Sequence, residues 1–331
     1  MPKPSDRSTH PSVAVLTVNT NGAAFIAEFG ESLAKVTYPN YRLIVVDNAS
    51  TDNSLEILKR SQPEAVVLQN DANLGFTGAC NRGLAYCLDQ GFDYVLLLNS
   101  DLVMEPDFLD QLVASADERT MTAPKTYLYH QPGRLDDSVG EFDWTRGVWK
   151  QRILGKPPTP DFDRPRPVDS ANLSCLLVPA GLLREVGLLD DNFFIYYDDT
   201  DFVRRARIKG YRLWFVPAAV IYHEKGATIG GPAIPFGLYY LTRNRPYLIR
   251  KHVRSRPRLA IFWVYFLSSR LLLLIRFLVR GRHDLAKAML LGLIDYWRGR
   301  MGKTVEREQW PSRRQAGDPG ARMPGQRRVK T

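Results

Sequence analysis

What most constrains this chain is a set of short, apolar, β-branched segments in its first hundred residues, each followed by polar turn residues and then a helical pattern. Val13–Val18, Leu43–Val46, Ala65–Leu68 and Tyr94–Leu98 read as near-continuous apolar strands. Amphipathic stretches follow from Ala23 to about Ala34, from near Asp52, and over Thr77–Asp89. Strands that are apolar on both faces and separated by helices predict a mostly parallel α/β sheet with helices on both faces. In such a sheet ligands bind beyond the carboxyl ends of the strands. Those ends read Asn19-Thr20-Asn21-Gly22, Asp47-Asn48-Ala49-Ser50-Thr51-Asp52, Asn70-Asp71-Ala72-Asn73-Leu74-Gly75 and Asn99-Ser100-Asp101. Turn chemistry alone explains any one of them; four that agree point to one polar ligand.

With 331 residues, 44% hydrophobic and 24% charged, the chain has the composition of a globular protein and room for one large α/β domain with an appendage. Three cysteines cannot build a disulfide framework and fit a reducing compartment, and no CxxC or Cys/His cluster supports structural zinc. MPKPSDRSTH has no apolar core of the secretory kind. The expectation is a cytoplasmic enzyme, with residues 1–10 a flexible start.

Residues 127–170 break the alternation. Six prolines, with Trp144, Gly147 and Trp149 among them, indicate a long loop or irregular hairpin, either a lid or an insertion. A strand returns at Ser174–Val178, a short helix over Leu182–Val186, then the aromatic run Phe193, Phe194, Tyr196, Tyr197. Asp198, Asp199 and Asp201 follow at the start of a predicted helix. Carboxylates there can simply cap free N–H groups. Two adjacent acids behind an aromatic run also allow one to be held by packing while its neighbour serves as a general base, and spacing does not decide which. Asp101 ends a buried strand and His223 another. Both suit a divalent ion that also binds phosphate, although a lone histidine is more often an ordinary core or surface residue.

These residues resemble the inverting family-two glycosyltransferases of the GT-A fold, in particular the bacterial rhamnosyltransferase-like branch. The resemblance runs from Val13 to about Thr228 through an ordered series, VLTVNTNG, IVVDNASTDNS, NLGFTGACNRG, LLLNSDLVMEPDFL, GLLDDNFFIYYDDTDFVRRARIKGYRLWFVP and VIYHEKG, with a looser continuation over Tyr239–Arg250. It implies a Rossmann-like nucleotide-diphospho-sugar transferase domain over 11–245. Residues 11–105 would form the nucleotide-sugar half, 127–170 a lid or acceptor loop, and 171–245 the acceptor and catalytic half. Thr17, Asn19, Asp47 and Asn48 would line the nucleotide pocket, Asp47 accepting from the pyrimidine N3–H. Asn73, Gly75, Phe76 and Asn81 would shape the donor side, together with Asn99, Ser100 and Asp101. Asn99 departs from the family's DxD motif, leaving Asp101 and His223 to hold Mg²⁺ or Mn²⁺. Asp199 would be the base with Asp198 as its partner, and Asp201 a cap or the partner of Arg204 or Arg205. Trp144, Trp149, Tyr196 and Tyr197 would lie on the acceptor side. The resemblance implies transfer of one sugar, with rhamnose from dTDP-rhamnose the first choice, to a glycan or lipid-linked precursor of the cell envelope. UDP- or GDP-sugar donors, or a homologue that only binds, are the alternatives. The QxxRW signature of processive synthases is absent. A sugar-phosphate nucleotidyltransferase would need a Gly- and Arg-containing loop after the first strand, which VNTNGAAF does not provide.

Charge is unevenly distributed. Of the 45 Lys and Arg and 35 Asp and Glu, residues 243–331 hold 22 and 5, so a body of net −7 carries a final quarter of net +17. Within it, 259–279 is the most apolar stretch, with Arg258, Arg276 and Arg280 within about 40° of one another on a helix and Arg270 on another side. Residues 246–310 are expected to form amphipathic helices that lie on an anionic membrane surface, at the inner face of the cell membrane. A helical pair packed on the protein, or a homodimer interface, is the competing reading. Nothing resembles a nucleic-acid recognition element. Residues 311–331, rich in Pro, Gly and Arg, are expected to be disordered.

Overall fold

The computed structural model describes residues 10–150, 153–224, 234–306 and Trp310. The expected disordered end at 311–331, residues 1–9 and the last residues of VIYHEKG lie outside that range. The elements run β1 (Val13–Asn19), α1 (Ile26–Leu33), β2 (Tyr41–Asp47), α2 (Ser54–Ser61), β3 (Val66–Gln69), α3 (Gly75–Asp89), β4 (Tyr94–Leu98), β5 (Leu102–Met104), α4 (Phe108–Ala114) and β6 (Thr120–Leu128). The irregular stretch then holds β7 (Val139–Gly140), the hairpin β8 (Phe142–Asp143) and β9 (Val148–Trp149), a 3₁₀ turn over Pro160–Asp163, and β10 (Arg166–Pro167). After it come β11 (Ser170–Ala171), β12 (Cys175–Pro179), α5 (Ala180–Val186), α6 (Asp198–Ile208), β13 (Arg212–His223), α7 (Pro235–His252), α8 (Arg256–Val279) and α9 (His283–Trp297).

One nine-stranded sheet has the order β10-β13-β6-β12-β4-β1-β2-β3, with β5 on β13. The pairs β4–β1, β1–β2, β2–β3 and β6–β13 are parallel, while β12 runs antiparallel between β4 and β6. The sheet is mostly parallel, and both faces are covered. Val13 and Val15 pack with Phe29 of α1, Leu58 of α2 and Phe108 of α4; Ala14 and Leu16 pack on the other face with Leu84 of α3, Leu182 of α5 and Phe202 of α6. This two-sided burial is what made the strands read as unbroken apolar runs.

Two elements that position the site were not foreseen. β6 carries Pro124 and Lys125 in its interior, which hide its strand pattern; Lys125 is buried and its ammonium meets Asp163 at 2.8 Å. α7 hides for a similar reason. Its buried side includes Thr242, Arg243, Asn244, Arg245 and Pro246, so its polar residues face inward. The domain boundary expected at 245/246 falls inside this helix.

The last three helices form a layer of their own. α9 lies so close to α7 that a Cβ at Gly292 would sit 2.6 Å from the Tyr239 carbonyl oxygen. On helix propensity alone, Gly292→Ala would gain about 1 kcal/mol, but the obstacle is backbone and cannot swing aside. We expect the substitution to destabilise the protein by roughly 1–3 kcal/mol, measured by denaturant unfolding.

Candidate active site

The carboxyl ends of β1, β2 and β3 lie side by side, Asn19 opposite Asp47 and Asp47 opposite Gln69. Asn19 donates to Asp47 at 2.9 Å, Ser50 at 3.0 Å and Ser54 at 2.7 Å, and Asp47 also accepts the Ser50 N–H at 3.1 Å. Thr17 Oγ1 and Asn19 Oδ1 are buried without a partner among the described residues. Buried polar atoms are nearly always paired, so these two are positioned to meet a polar ligand.

Asn48 has a different part. Its amide donates to Asn73 Oδ1 at 2.9 Å and Gly75 O at 3.2 Å, and its oxygen accepts from Asn70 at 3.0 Å and the Leu74 N–H at 2.9 Å. That uses its full capacity, so Asn48 positions the 70–75 loop and leaves nothing for a ligand. Asn73 in turn accepts the Gly75 N–H at 2.8 Å. Asn81 likewise binds protein: it exchanges hydrogen bonds with the Leu189 backbone and donates to Asp191 at 2.7 Å, tying α3 to the segment before the acids. Phe76 is half-buried against the core on the α3 side of the sheet.

Gly75 connects the two halves of the site. It has φ +75°, and a Cβ there would lie 2.3 Å from the Phe194 ring. Only glycine satisfies both conditions. Phe194, Tyr196 and Tyr197 themselves have φ of 63°, 62° and 67°, left-handed conformations that cost non-glycine residues on the order of 1–3 kcal/mol each. Asn244 holds this turn by donating to the carbonyls of Phe193 at 2.9 Å, Ile195 at 2.7 Å and Tyr196 at 3.2 Å. Arg243, fully buried, adds bonds to Asn192 O and Phe193 O, both at 3.1 Å.

The turn delivers Asp198, Asp199 and Asp201 to the start of α6. Burial, then the charge of Asp199, pushes the Asp198 carboxyl well above the usual range. Burial raises Asp199 too, against hydrogen bonds from the Thr200 N–H and hydroxyl that favour its charged form. Asp201 is the opposite case. Burial is outweighed by His252 at 2.7 Å, Arg205 at 2.8 Å and Lys251 at 2.8 Å, and its carboxyl is held down at about 2. The sequence indicated Arg204 or Arg205 as its partner. It is Arg205, and the two α7 partners, Lys251 and His252, came with the unforeseen helix.

Asp101 and His223 meet because β5 pairs with β13 with His223 opposite Leu102. His223 Nε2 is 3.4 Å from Asp101 Oδ1, and its Nδ1 is 2.7 Å from Asp136. Burial opposes protonation of His223, but the bonds to Asp101 and Asp136 outweigh it and move its pKa up to about 9. For Mg²⁺ or Mn²⁺ these residues fit. Asp101 Oδ1 is buried and faces the His223 ring nitrogen at 3.4 Å, leaving two potential ligand atoms side by side, and a carboxylate behind the imidazole is the usual support for a metal-binding histidine. Among the described residues no group of three or more His, Cys, Asp or Glu could hold a metal ion, so substrate phosphate and water would complete the shell. Ser100 is buried, its hydroxyl 3.4 Å from Val18 O, and the Asn99 N–H donates to Ser174 O. Asp136 was not foreseen, because it lies in an irregular loop far from His223 in sequence.

Trp144 and Trp149 pack around Phe142, with ring centroids at 4.8 and 6.4 Å, in the apolar cluster that joins the hairpin to α7 and α8; Tyr197 borders the same cluster. The tryptophans therefore anchor the hairpin as well as bordering the acid-bearing turn.

Residues 12–166 match the family Glycosyl transferase family 2. The N-acetylglucosaminyl-diphospho-decaprenol L-rhamnosyltransferase of Mycobacterium tuberculosis is 25% identical over 240 residues, 65% of this chain and 77% of that one. Among solved structures, GalNAc-T7 with UDP, GalNAc and Mn²⁺ aligns with TM-score 0.54 and 18% identity over 71% of this chain, which spans about half (48%) of that one. The mannosyltransferase PcManGT from Pyrobaculum calidifontis, in complex with GDP-Man and Mn²⁺, aligns with TM-score 0.51 and 14% identity over 89% and 90%. The fold is GT-A, and residues 12–166 carry the match to Glycosyl transferase family 2.

The lowered Asp201 pKa predicts a specific acid sensitivity. Its contribution to stability is present above the unfolded value near 4 and is lost as pH falls toward about 2. We expect about 2 kcal/mol to disappear over that window. In Asp201→Asn the same portion should be missing already at neutral pH, with a flatter acid-unfolding curve.

Proposed function

We propose that this enzyme transfers a single sugar, with inversion, from a nucleoside diphosphate to a hydroxyl of a lipid-linked glycan precursor of the cell envelope. L-Rhamnose from dTDP-rhamnose is the leading donor, supported by the name of the mycobacterial relative. The observation that carries the reading is the pair of raised-pKa acids on a strained turn that packs against the donor loop at Gly75.

Thr17, Asn19 and Asp47 would receive the nucleotide base, with Asn48, Asn73 and Gly75 shaping the loop beside it. Asp101 and His223 would hold the divalent ion, which when bound supplies positive charge against the leaving diphosphate. Asp199 is the general base. Its Oδ1 is fixed by Thr200, and it removes the acceptor hydroxyl proton as that oxygen forms its bond to the anomeric carbon. The bond from that carbon to the diphosphate breaks on the opposite face. Asp198, buried beside it, keeps a proton more readily, so the pair does not carry two uncompensated charges.

Membrane attachment belongs to the same reading. Among the described residues α8 is the one helix long and apolar enough to cross a membrane by length and composition. Its inner side packs through Phe262 and Phe266, while Ile261, Val264, Leu271, Leu272, Ile275 and Val279 are exposed. An outward apolar side over an inward packed side supports a helix lying in the interface, with Arg258, Arg276 and Arg280 reaching anionic headgroups. Removing residues 257–331 would strip α9 from α7 and disturb the turn, so surface substitutions are the cleaner test.

Asp199→Asn should lower turnover by at least 10²-fold while thermal stabilisation by nucleotide sugar with Mn²⁺ persists; wild-type turnover would remove the base assignment. A panel of dTDP-, UDP- and GDP-sugars in the same assay identifies the donor. Leu272→Glu with Ile275→Glu should abolish flotation with anionic vesicles and leave the melting temperature nearly unchanged.

A further inference from the structure

Three arginines converge where α7, α8 and the β8–β9 hairpin meet. Arg245 of α7 is 5% exposed. Its guanidinium lies 5.4 Å from the Tyr265 ring centroid and 5.3 Å from that of Phe266. Arg270 of α8 lies 5.4 Å from the same Phe266 centroid, and Arg146, at the tip of the β8–β9 hairpin, 5.6 Å from that of Tyr265. Three cations from three elements thus gather on two adjacent rings.

They have little to balance them. Arg245 donates to the Arg146 carbonyl. Arg270 reaches only Thr242 Oγ1 at 3.5 Å, and its Nε is buried without an acceptor. Among the described residues neither Arg245 nor Arg270 meets a carboxylate, and Arg146 has only Asp143 at 3.9 Å. Burial, then the charge of Arg245, lowers the hold of Arg270 on its proton. Clustered, desolvated cations are costly unless an anion joins them, and planar guanidinium groups suit phosphate oxygens.

The surroundings indicate which anion. Both guanidinium charges act on the Tyr197 hydroxyl, as does Asp199, so the cluster lies within electrostatic reach of the catalytic turn. Phe262, which Arg245 also approaches at 5.9 Å, lines an apolar groove of about 210 Å³ with Ile249, Leu259, Trp263 and Trp297. We infer that Arg245 and Arg270, with Arg146 from the hairpin, bind the diphosphate of an isoprenyl-diphosphate-linked acceptor, whose first isoprene units enter the groove beside Phe262. A lipid diphosphate fits because positive charge, an apolar groove and the exposed side of α8 adjoin one another. The inference deepens the proposed function by assigning the acceptor's headgroup, and it can be tested apart from transfer.

The test is calorimetric titration of the full chain with farnesyl diphosphate, with farnesol, and with dTDP in the presence of Mn²⁺. Wild type should bind farnesyl diphosphate and not farnesol. Arg270→Met should weaken farnesyl diphosphate at least tenfold and dTDP less than twofold, and Arg270→Lys should recover part of the loss. The melting temperature of Arg270→Met should stay level or rise, because an unpaired buried cation is removed; a purely structural arginine would lower it. Unchanged farnesyl diphosphate affinity in Arg270→Met overturns the inference, as does a loss that falls on dTDP instead. The dTDP arm reports separately on the donor site: no nucleotide binding in wild type would count against the transferase reading, while the lipid arm still decides this one.

Discussion

The structure depends on one side-chain amide. Asn244 donates to three carbonyls of a turn in which Phe194, Tyr196 and Tyr197 all have left-handed backbones. Three such residues close together would relax in isolation, and a relaxed turn would move the acids at the start of α6. The strain is retained because Asn244 lies on a fully buried stretch of α7, itself pressed against α9. The position of the acids is therefore fixed by the C-terminal helical layer, although they themselves start a helix that packs on the sheet.

Much of this was legible in the sequence, and the reasons differ by element. The strands β1 to β4 were readable because burial on both faces leaves no polar residue to interrupt them. The polar strand ends were readable because four of them agree, and the acids because they sit at a helix start. The register that brings His223 to Asp101 was not readable, since it arises from β5 pairing with β13 across a long gap in sequence. Asp136 was invisible for the same reason. α7 escaped because it is buried nearly all round, with Thr242, Arg243, Asn244 and Arg245 among Phe236, Leu238, Tyr239, Tyr240, Leu248 and Ile249, so no single apolar stripe stands out. Hydrophobic pattern finds helices that bury one apolar side; it does not find one buried on most sides with polar residues among the apolar ones. The roles of Asn48 and Asn81 also changed character. Both match the motif, and both use their amides to hold backbone in place.

Within four residues the chain places carboxylates in opposite regimes. Asp201 is surrounded by Arg205, Lys251 and His252 and stays charged far into acid. Asp198 and Asp199, in the same first turn of α6, meet no such basic partner among the described residues and are pushed upward by burial. Two of the partners that separate these behaviours, Lys251 and His252, come from α7, so the helix that braces the turn also favours the charged form of Asp201.

After α9 the chain returns across the site. Gly302 donates to Asn192 O and accepts from Arg243, Thr304 meets Tyr239 and Arg243, and Lys303 reaches the Asn73 carbonyl in the donor loop. During synthesis β1 to β4 can pair as they leave the ribosome, whereas β5 and β6 wait for β12 and β13, and the turn and the 70–75 loop gain these ties only after residue 304 has emerged. A nascent chain thus holds a paired sheet core before the turn that carries the acids has its full set of ties.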